Sequence, residues 1–184
     1  MTSPLTTDDP SRGILGPIIH AEVGNTIDVA YQNHTTVPTS VHPHGVFHDK
    51  GSEGSMILDG TSAEQMADDH VPPGGSHTSH WSVPERAGPG PNDPSSFVWR
   101  YHSHVDEVAD TNTGLVGAIG VTAKGKAKPD GTPGDVDREV FTLFSVLNGN
   151  ASLFLRQMME KLKPGEALSD EDFDESNLMH SISG

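Results

Sequence analysis

Two His-x-His motifs constrain this chain more than any other feature of its sequence. His42 and His44 flank one proline, and His102 and His104 flank one serine about sixty residues further on. Alternate side chains of an extended segment point to the same face, so each motif places two imidazoles side by side. Two such segments on adjacent strands would bring four nitrogen ligands together, and such ligands favour copper or zinc. The motifs therefore predict neighbouring strands that share a metal cluster; the alternative is exposed strand histidines on an acidic protein.

The rest of the sequence favours an all-β fold. Fourteen prolines and twenty glycines in 184 residues leave few long apolar periodicities, which is typical of turn-rich β domains. Ile27, Val29 and Tyr31 alternate with less apolar residues, as in a half-buried strand. Strands are predicted over residues 14–19, 26–33, 39–42, 76–83, 97–102, 116–122 and 140–147. Short strands with long connections predict a Greek-key β-sandwich.

The two ends of the chain differ from its middle. Residues 1–11 are polar and are predicted to form a flexible arm, followed by one domain over residues 12–150. Leu153, Phe154 and Met158 have helical spacing, which predicts a short helix and then an acidic linker within residues 151–176. Residues 177–184 resume an apolar pattern, which we expect to begin a following, truncated domain.

Charge and composition exclude several classes of function. Eleven Lys and Arg against 26 Asp and Glu give a formal charge of -15, which argues against nucleic acid and anionic membranes as partners. No apolar run is long enough to span a membrane, and the first residues, which are neither positive nor apolar, are not expected to form a signal peptide. Because the chain has no cysteine, thiolate metal sites, disulfides and cysteine nucleophiles are excluded.

Seven short segments carry a resemblance to a known family. They are GPII at 16–19, HPHGV at 42–46, VPPGG at 71–75, VPERAGPG at 83–90, YHSHVD at 101–106, GLVG at 114–117 and ESNLMH at 175–180. Together they resemble the first domain of multicopper oxidases of the ceruloplasmin and hephaestin type. The two histidine motifs are specific to that family when they occur together. The resemblance covers nearly the whole chain from Arg12 onward.

The resemblance implies a cupredoxin-like domain that supplies half of a trinuclear copper cluster. His42 would bind the type 2 copper, and the type 3 pair would be bound by His44, His102 and His104. A second cupredoxin domain, on the same parent chain or another subunit, would supply the other half and the type 1 copper. That copper needs a cysteine, so this chain is expected to be incomplete as an oxidase on its own. The whole enzyme would oxidise a small reducing substrate, such as metal ions or phenols, and reduce O2 to water.

Further residues receive roles from the same resemblance. Asp59, before Gly60, resembles the carboxylate that relays protons to the cluster, and Asp106 is the alternative. Four residues resemble the calcium site of ceruloplasmin and its clotting-factor relatives, in which carbonyl and carboxylate oxygens hold the ion: Lys50, Gln65, Asp68 and Asp69. The remaining histidines have no partner pattern and are predicted to be ordinary surface or core residues: His20, His34, His48, His70, His77, His80 and His180.

Two alternatives stay open beside the oxidase. One is a non-catalytic binding domain of the clotting-factor type, which would have no need of four converging imidazoles. The other is a copper nitrite reductase domain, which shares the fold and uses a trimeric, interface-sited copper together with a cysteine-ligated copper. The absence of cysteine disfavours that option. The family implies an extracellular or periplasmic location, with a second cupredoxin domain as partner and a homotrimer among the assemblies considered.

Overall fold

The protein is described by a computed structural model over residues 13–56, 60, 62, 65–161 and 170–182. The strands in these ranges are β1 (Ile19–Glu22), β2 (Thr26–Gln32), β3 (His42–Pro43), β4 (Ser76–Ser82), β5 (Ser96–His102), β6 (Val116–Thr122), β7 (Phe144–Asn148) and β8 (Leu178–Ile182). The helices are α1 (Glu107–Asn112), α2 (Leu155–Lys161) and α3 (Asp170–Ser176). Strands dominate the 13–161 region, as the sequence predicted.

Three sheets organise these strands. The largest has the order β1-β6-β5-β3, in which β1 runs parallel to β6 and the other neighbours are antiparallel. The strands β2 and β4 form an antiparallel pair, and β7 and β8 form another. Every residue of β6 is buried, as expected for a central strand that is covered on both faces.

The core lies between the four-stranded sheet and the β2–β4 pair. Trp81 of β4 is fully buried against apolar residues of β1 and β6, including Ile119 and Val121. Its indole N–H donates to the carbonyl oxygen of Ser52 over 2.9 Å, which satisfies the one polar group of the side chain. Trp99 and Tyr101 of β5 pack against the same cluster. The arrangement is the predicted β-sandwich, and the all-β prediction is confirmed.

Three strands differ clearly from their predicted bounds, among them the one predicted over 140–147, which is β7 (Phe144–Asn148). The strand predicted over 14–19 instead covers Ile19–Glu22, because Pro17 has no N–H with which to extend the ladder to β6. The strand predicted over 39–42 is reduced to the two residues of β3. Upstream of it, Thr39 bridges to Val71 rather than to β5. The chain therefore changes partners just before the first histidine motif.

The C-terminal part contains more regular structure than predicted. The predicted helix is present as α2, and α3 lies within the segment expected to be an acidic linker. Acidic residues in a first turn interact favourably with the helix dipole, which gives a physical reason for α3. The strand β8 pairs with β7 along its full length. In the described ranges, we find no helix with both the length and the apolar character needed to cross a membrane.

Candidate metal centre

The structure brings the four predicted copper ligands together. The strands β3 and β5 are adjacent and place His42 directly opposite His102. Ring centroids of His44, His102 and His104 lie 5.1, 5.7 and 5.1 Å from that of His42. The rings of His44 and His102 are stacked, with their Nε2 atoms 2.9 Å apart. Two sequence motifs about sixty residues apart thus form one cluster of imidazoles.

A glycine sets the path of the chain as it leaves the first motif. Gly45 has a φ of 78°, in the left-handed region that other residues rarely adopt. A Cβ atom there would lie 2.1 Å from the indole ring of Trp99, far inside van der Waals contact. The indole N–H of Trp99 donates to the carbonyl oxygen of Ala87 over 2.7 Å, so the ring is held in place. Only glycine lets the backbone after His44 pass this ring.

Hydrogen bonds to oxygen atoms orient three of the four imidazoles. Nδ1 of His42 lies 2.6 Å from the carbonyl oxygen of Glu53, and Nδ1 of His102 lies 2.9 Å from the carbonyl oxygen of Ser103. A carbonyl oxygen only accepts, so each Nδ1 carries the proton and each Nε2 keeps its lone pair. Nδ1 of His104 lies 3.2 Å from the hydroxyl of Ser55. An Nδ1 that is held by an oxygen atom, as in these three residues, is typical of metal-ligating histidines.

The surroundings keep the clustered imidazoles neutral. Burial, the Arg100 guanidinium and neighbouring imidazoles together lower the pKa of His44 to about 4. Burial also lowers the pKa of His42 and of His102, although the hydrogen bond that each makes with a backbone carbonyl opposes that shift. At neutral pH these rings are therefore uncharged, which is the form that binds a metal.

A buried polar network ties the two histidine segments to each other. The Ser40 N–H donates to Oγ of Ser103 over 3.0 Å, and that hydroxyl donates to Oδ2 of Asp110 over 2.6 Å. The His104 N–H donates to Oγ of Ser40 over 3.0 Å. The Asp110 carboxylate, 1% exposed, also accepts from the Asp106 N–H. The backbones on either side of the cluster are thus fixed relative to each other.

The predicted acids take different places. Asp59 lies outside the described residues. Asp106 caps α1, accepting from the Ala109 N–H over 3.1 Å. The next residue, Glu107, places its carboxylate oxygens 3.8 and 3.9 Å from Nε2 of His102 and His104. Sequence reasoning missed Glu107, although its spacing of three residues from His104 on a helix start was a usable signal.

A fifth imidazole also reaches the cluster. The ring of His48 lies 5.9 Å from that of His42, in an edge-on arrangement. The sequence carried no partner pattern for His48, so its place beside His42 was not predicted. No spacing rule would have found it, because His48 follows the glycine turn, where alternation of side chains no longer holds. Other histidines do make ordinary local pairs, such as His80 with Asp28.

Part of the predicted calcium set comes together in a buried loop. Asp68 and Asp69 are 2% and 4% exposed. Burial and the Asp68 carboxylate raise the pKa of Asp69 to about 6. Nζ of Lys50 lies 2.8 Å from a carboxylate oxygen of Glu53, and this ion pair was not predicted from the sequence. Oδ1 of Asp68 is buried and has no hydrogen-bond partner in the part of the chain that the structure describes. An oxygen of this kind suits a hard cation such as calcium. The fourth residue, Gln65, is exposed.

The donor set of the histidine cluster also fits a metal. Imidazole nitrogens suit copper and zinc. Considering only residues 13–56, 60, 62, 65–161 and 170–182, no group of three or more His, Cys, Asp or Glu is arranged to hold a single ion by itself. The four imidazoles therefore do not surround one ion; they lie side by side, with the rings of His44 and His102 stacked.

Comparison with known proteins identifies the family. The family model described as multicopper oxidase matches residues 11–126 of the chain. The chain belongs to the multicopper oxidase family. Membership confirms the predicted resemblance to multicopper oxidases and the cupredoxin-like fold.

Two curated proteins are similar to this chain over nearly its whole length. Hephaestin of Homo sapiens is 45% identical over 178 residues, which are 94% of this chain and 15% of hephaestin. Ceruloplasmin of Rattus norvegicus is 39% identical over 181 residues, which are 96% of this chain and 17% of ceruloplasmin. The chain thus spans about a sixth of the length of these curated relatives. The crystal structure of Lac15 from a marine microbial metagenome aligns with 66% of this chain and 26% of its own, at 26% identity and a TM-score of 0.44.

Proposed function

We propose that this chain supplies half of the trinuclear copper cluster of a multicopper oxidase. The observation that carries the proposal is the convergence of four imidazoles from β3, β5 and the turns after them. In this proposal, His42 binds the type 2 copper, and the other three imidazoles bind the type 3 pair: His44, His102 and His104. Copper held by these residues would supply one-electron redox chemistry for the four-electron reduction of O2 to water.

The chain's own residues would prepare the site in three ways. The hydrogen bonds at Nδ1 of His42 and His102 aim the Nε2 lone pairs at the ions. Burial keeps the rings neutral without metal. A carboxylate would supply protons for water formation: Asp59 and Asp106 are proposed from the resemblance, and Glu107 from its distances to His102 and His104.

A complete oxidase needs a second cupredoxin domain, which would carry the type 1 copper. Support comes from the absence of cysteine in this chain and from relatives about six times its length. The second domain would lie on the same parent chain or on another subunit, and a homotrimer is one assembly that would place it at the cluster. We propose an extracellular or periplasmic location and a small reducing substrate, with metal ions favoured over phenols by the formal charge of -15.

The loop that holds Asp68 and Asp69 is proposed to bind calcium, together with Lys50 and Gln65. The buried Oδ1 of Asp68 supports an ion there. Calcium that binds only the folded chain raises the melting temperature by mass action. We expect about 1 mM CaCl2 to raise the melting temperature by several degrees, which is the effect of a ligand present at about 100 times its Kd. The same addition of MgCl2 should have little effect, and an equal response to both ions would contradict the assignment.

Copper content tests the main proposal. The chain would be measured alone and joined to a cupredoxin domain that carries a type 1 site, using metal analysis, near-ultraviolet absorption and paramagnetic resonance. We expect a cluster absorption band only for the joined protein, and its loss in His42→Ala and His102→Ala. The control His80→Ala removes a histidine that pairs with Asp28 away from the cluster, and should change nothing. Copper binding that survives both cluster substitutions would refute the proposal and leave the clotting-factor type of binding domain. Nitrite turnover would instead support the nitrite reductase alternative.

A further inference from the structure

One peptide group joins a buried carboxylate to the histidine cluster. The carbonyl oxygen of Glu53 lies 2.6 Å from Nδ1 of His42. The N–H on the other side of the same peptide bond, that of Gly54, donates to Oδ2 of Asp68 over 2.6 Å. We propose that Asp68 is a positioning residue for His42, and that it acts through the Glu53–Gly54 peptide. The inference rests on the proposed function, in which His42 is a copper ligand.

The backbone around this peptide group is closely confined. Gly54 has a φ of 64°, and a Cβ atom there would lie 2.2 Å from the carbonyl oxygen of Val41. The peptide thus passes directly against the strand that carries His42. On the following peptide, the carbonyl oxygen of Gly54 accepts from Oγ of Ser40 over 2.6 Å. With both sides bound, the Glu53–Gly54 peptide cannot turn its carbonyl away from the imidazole.

The electrostatics of an amide explain how a carboxylate would act across it. A negative charge at the N–H stabilises the resonance form that places negative charge on the carbonyl oxygen. That oxygen becomes a stronger acceptor, so it holds the proton on Nδ1 of His42 more firmly and leaves the Nε2 lone pair to the metal. Asp68 is 2% exposed, and water therefore screens the effect little. In many metal sites a carboxylate touches the histidine directly; here one peptide group lies between them.

The neighbouring residue supplies a matched control. Asp69 is also buried, at 4% exposed, but its carboxylate makes no hydrogen bond to the Glu53–Gly54 peptide among the described contacts. Asp68→Asn keeps the shape of the side chain and an oxygen to accept the Gly54 N–H, and it removes the charge. Asp69→Asn removes the same charge one residue away without touching the peptide. A general effect of charge or of loop stability would appear in both variants, and an effect through the peptide only in the first.

Imidazole NMR of the metal-free chain gives a direct readout. Long-range 1H–15N spectra at pH 7.5 report which nitrogen of His42 is protonated and how fast the Nδ1 proton exchanges with water. In Asp68→Asn we expect this exchange to be roughly fivefold faster, because a weaker acceptor faces the proton. The NMR signal of the Nδ1 proton should also move upfield. In Asp69→Asn we expect both quantities to remain within about twofold of the unmodified chain. The buried indole N–H of Trp81, which is bonded to Ser52, reports in the same spectra whether the loop is intact.

A second variant and a copper titration complete the test. Asp68→Glu keeps the negative charge, so the exchange rate of the His42 proton should return toward that of the unmodified chain even if the loop is less stable. For Cu2+ added to the protein joined to a type 1 domain, we expect about tenfold weaker binding in Asp68→Asn only. If no variant binds copper, the proposed function fails while the proton readout still tests the inference. Equal changes in Asp68→Asn and Asp69→Asn, or none in Asp68→Asn, would overturn the inference.

Discussion

Replacing Gly45 by alanine tests how the turn after the first histidine motif is held. The new Cβ would meet the ring of Trp99 at 2.1 Å, and the φ of 78° would remain unfavourable for any residue with a side chain. The conformational part costs about 1–2 kcal/mol of the free energy of unfolding. Displacing a ring that is packed and hydrogen-bonded adds about 1–3 kcal/mol. We therefore expect Gly45→Ala to lose about 2–5 kcal/mol.

Gly74→Ala separates the two contributions. Gly74 has a φ of 76°, close to that of Gly45, and nothing lies within 4 Å of the position that a Cβ atom would occupy. The substitution should therefore cost only the conformational part, about 1–2 kcal/mol. The difference between the two variants measures the contact with Trp99 alone.

Urea denaturation followed by tryptophan fluorescence makes the comparison. With a slope of about 2 kcal/mol per M of urea, the midpoint should fall by about 1–2.5 M in Gly45→Ala and by about 0.5–1 M in Gly74→Ala. The chain has two tryptophans, and the emission of Trp99 should change in the native state of Gly45→Ala only. Equal midpoints in the two variants, together with unchanged native emission, would refute the argument that the ring confines the turn.

Two further predictions concern pH and the polar network. Acidification from pH 7.5 to 5 should lower the urea midpoint, because the pKa of His44 falls from 6.5 to about 4 on folding, so the unfolded chain binds protons first. The raised pKa of Asp69, about 6 in the folded chain, opposes this loss of stability, so Asp69→Asn should enlarge the fall of the midpoint. A fall of the same size in Asp69→Asn and in the unmodified chain would contradict the effect assigned to Asp69. Ser103→Ala should cost about 1–3 kcal/mol, since it leaves buried groups of the network without partners. Ser95→Ala, whose hydroxyl bonds an exposed carboxylate, should cost less than about 0.5 kcal/mol in the same denaturation experiment, and equal losses would argue against the network.

Much of the fold follows from short-range rules that the sequence displays. Alternation in β2 predicted the face that carries Ile27 and Val29, which pack against the core, because side chains of a strand alternate whatever its partner is. The strand β6 was predicted with the bounds that the structure has. The start of β1 was not, because its residues pair with β6, about a hundred positions away, and Pro17 limits that ladder.

The sequence by itself determined which side chains of the site can bind a metal. The tertiary structure decided which other groups orient those side chains. The two-residue period of an extended segment places His42 with His44, and His102 with His104, on one face, so each pair could be expected from the sequence. The oxygen that holds Nδ1 of His42, the approach of Glu107 and the link from Asp68 follow from the paths of loops. These contacts join residues up to 14 positions apart through irregular backbone, where no periodic rule relates sequence spacing to distance. Only packing of the loops against the sandwich brings them together.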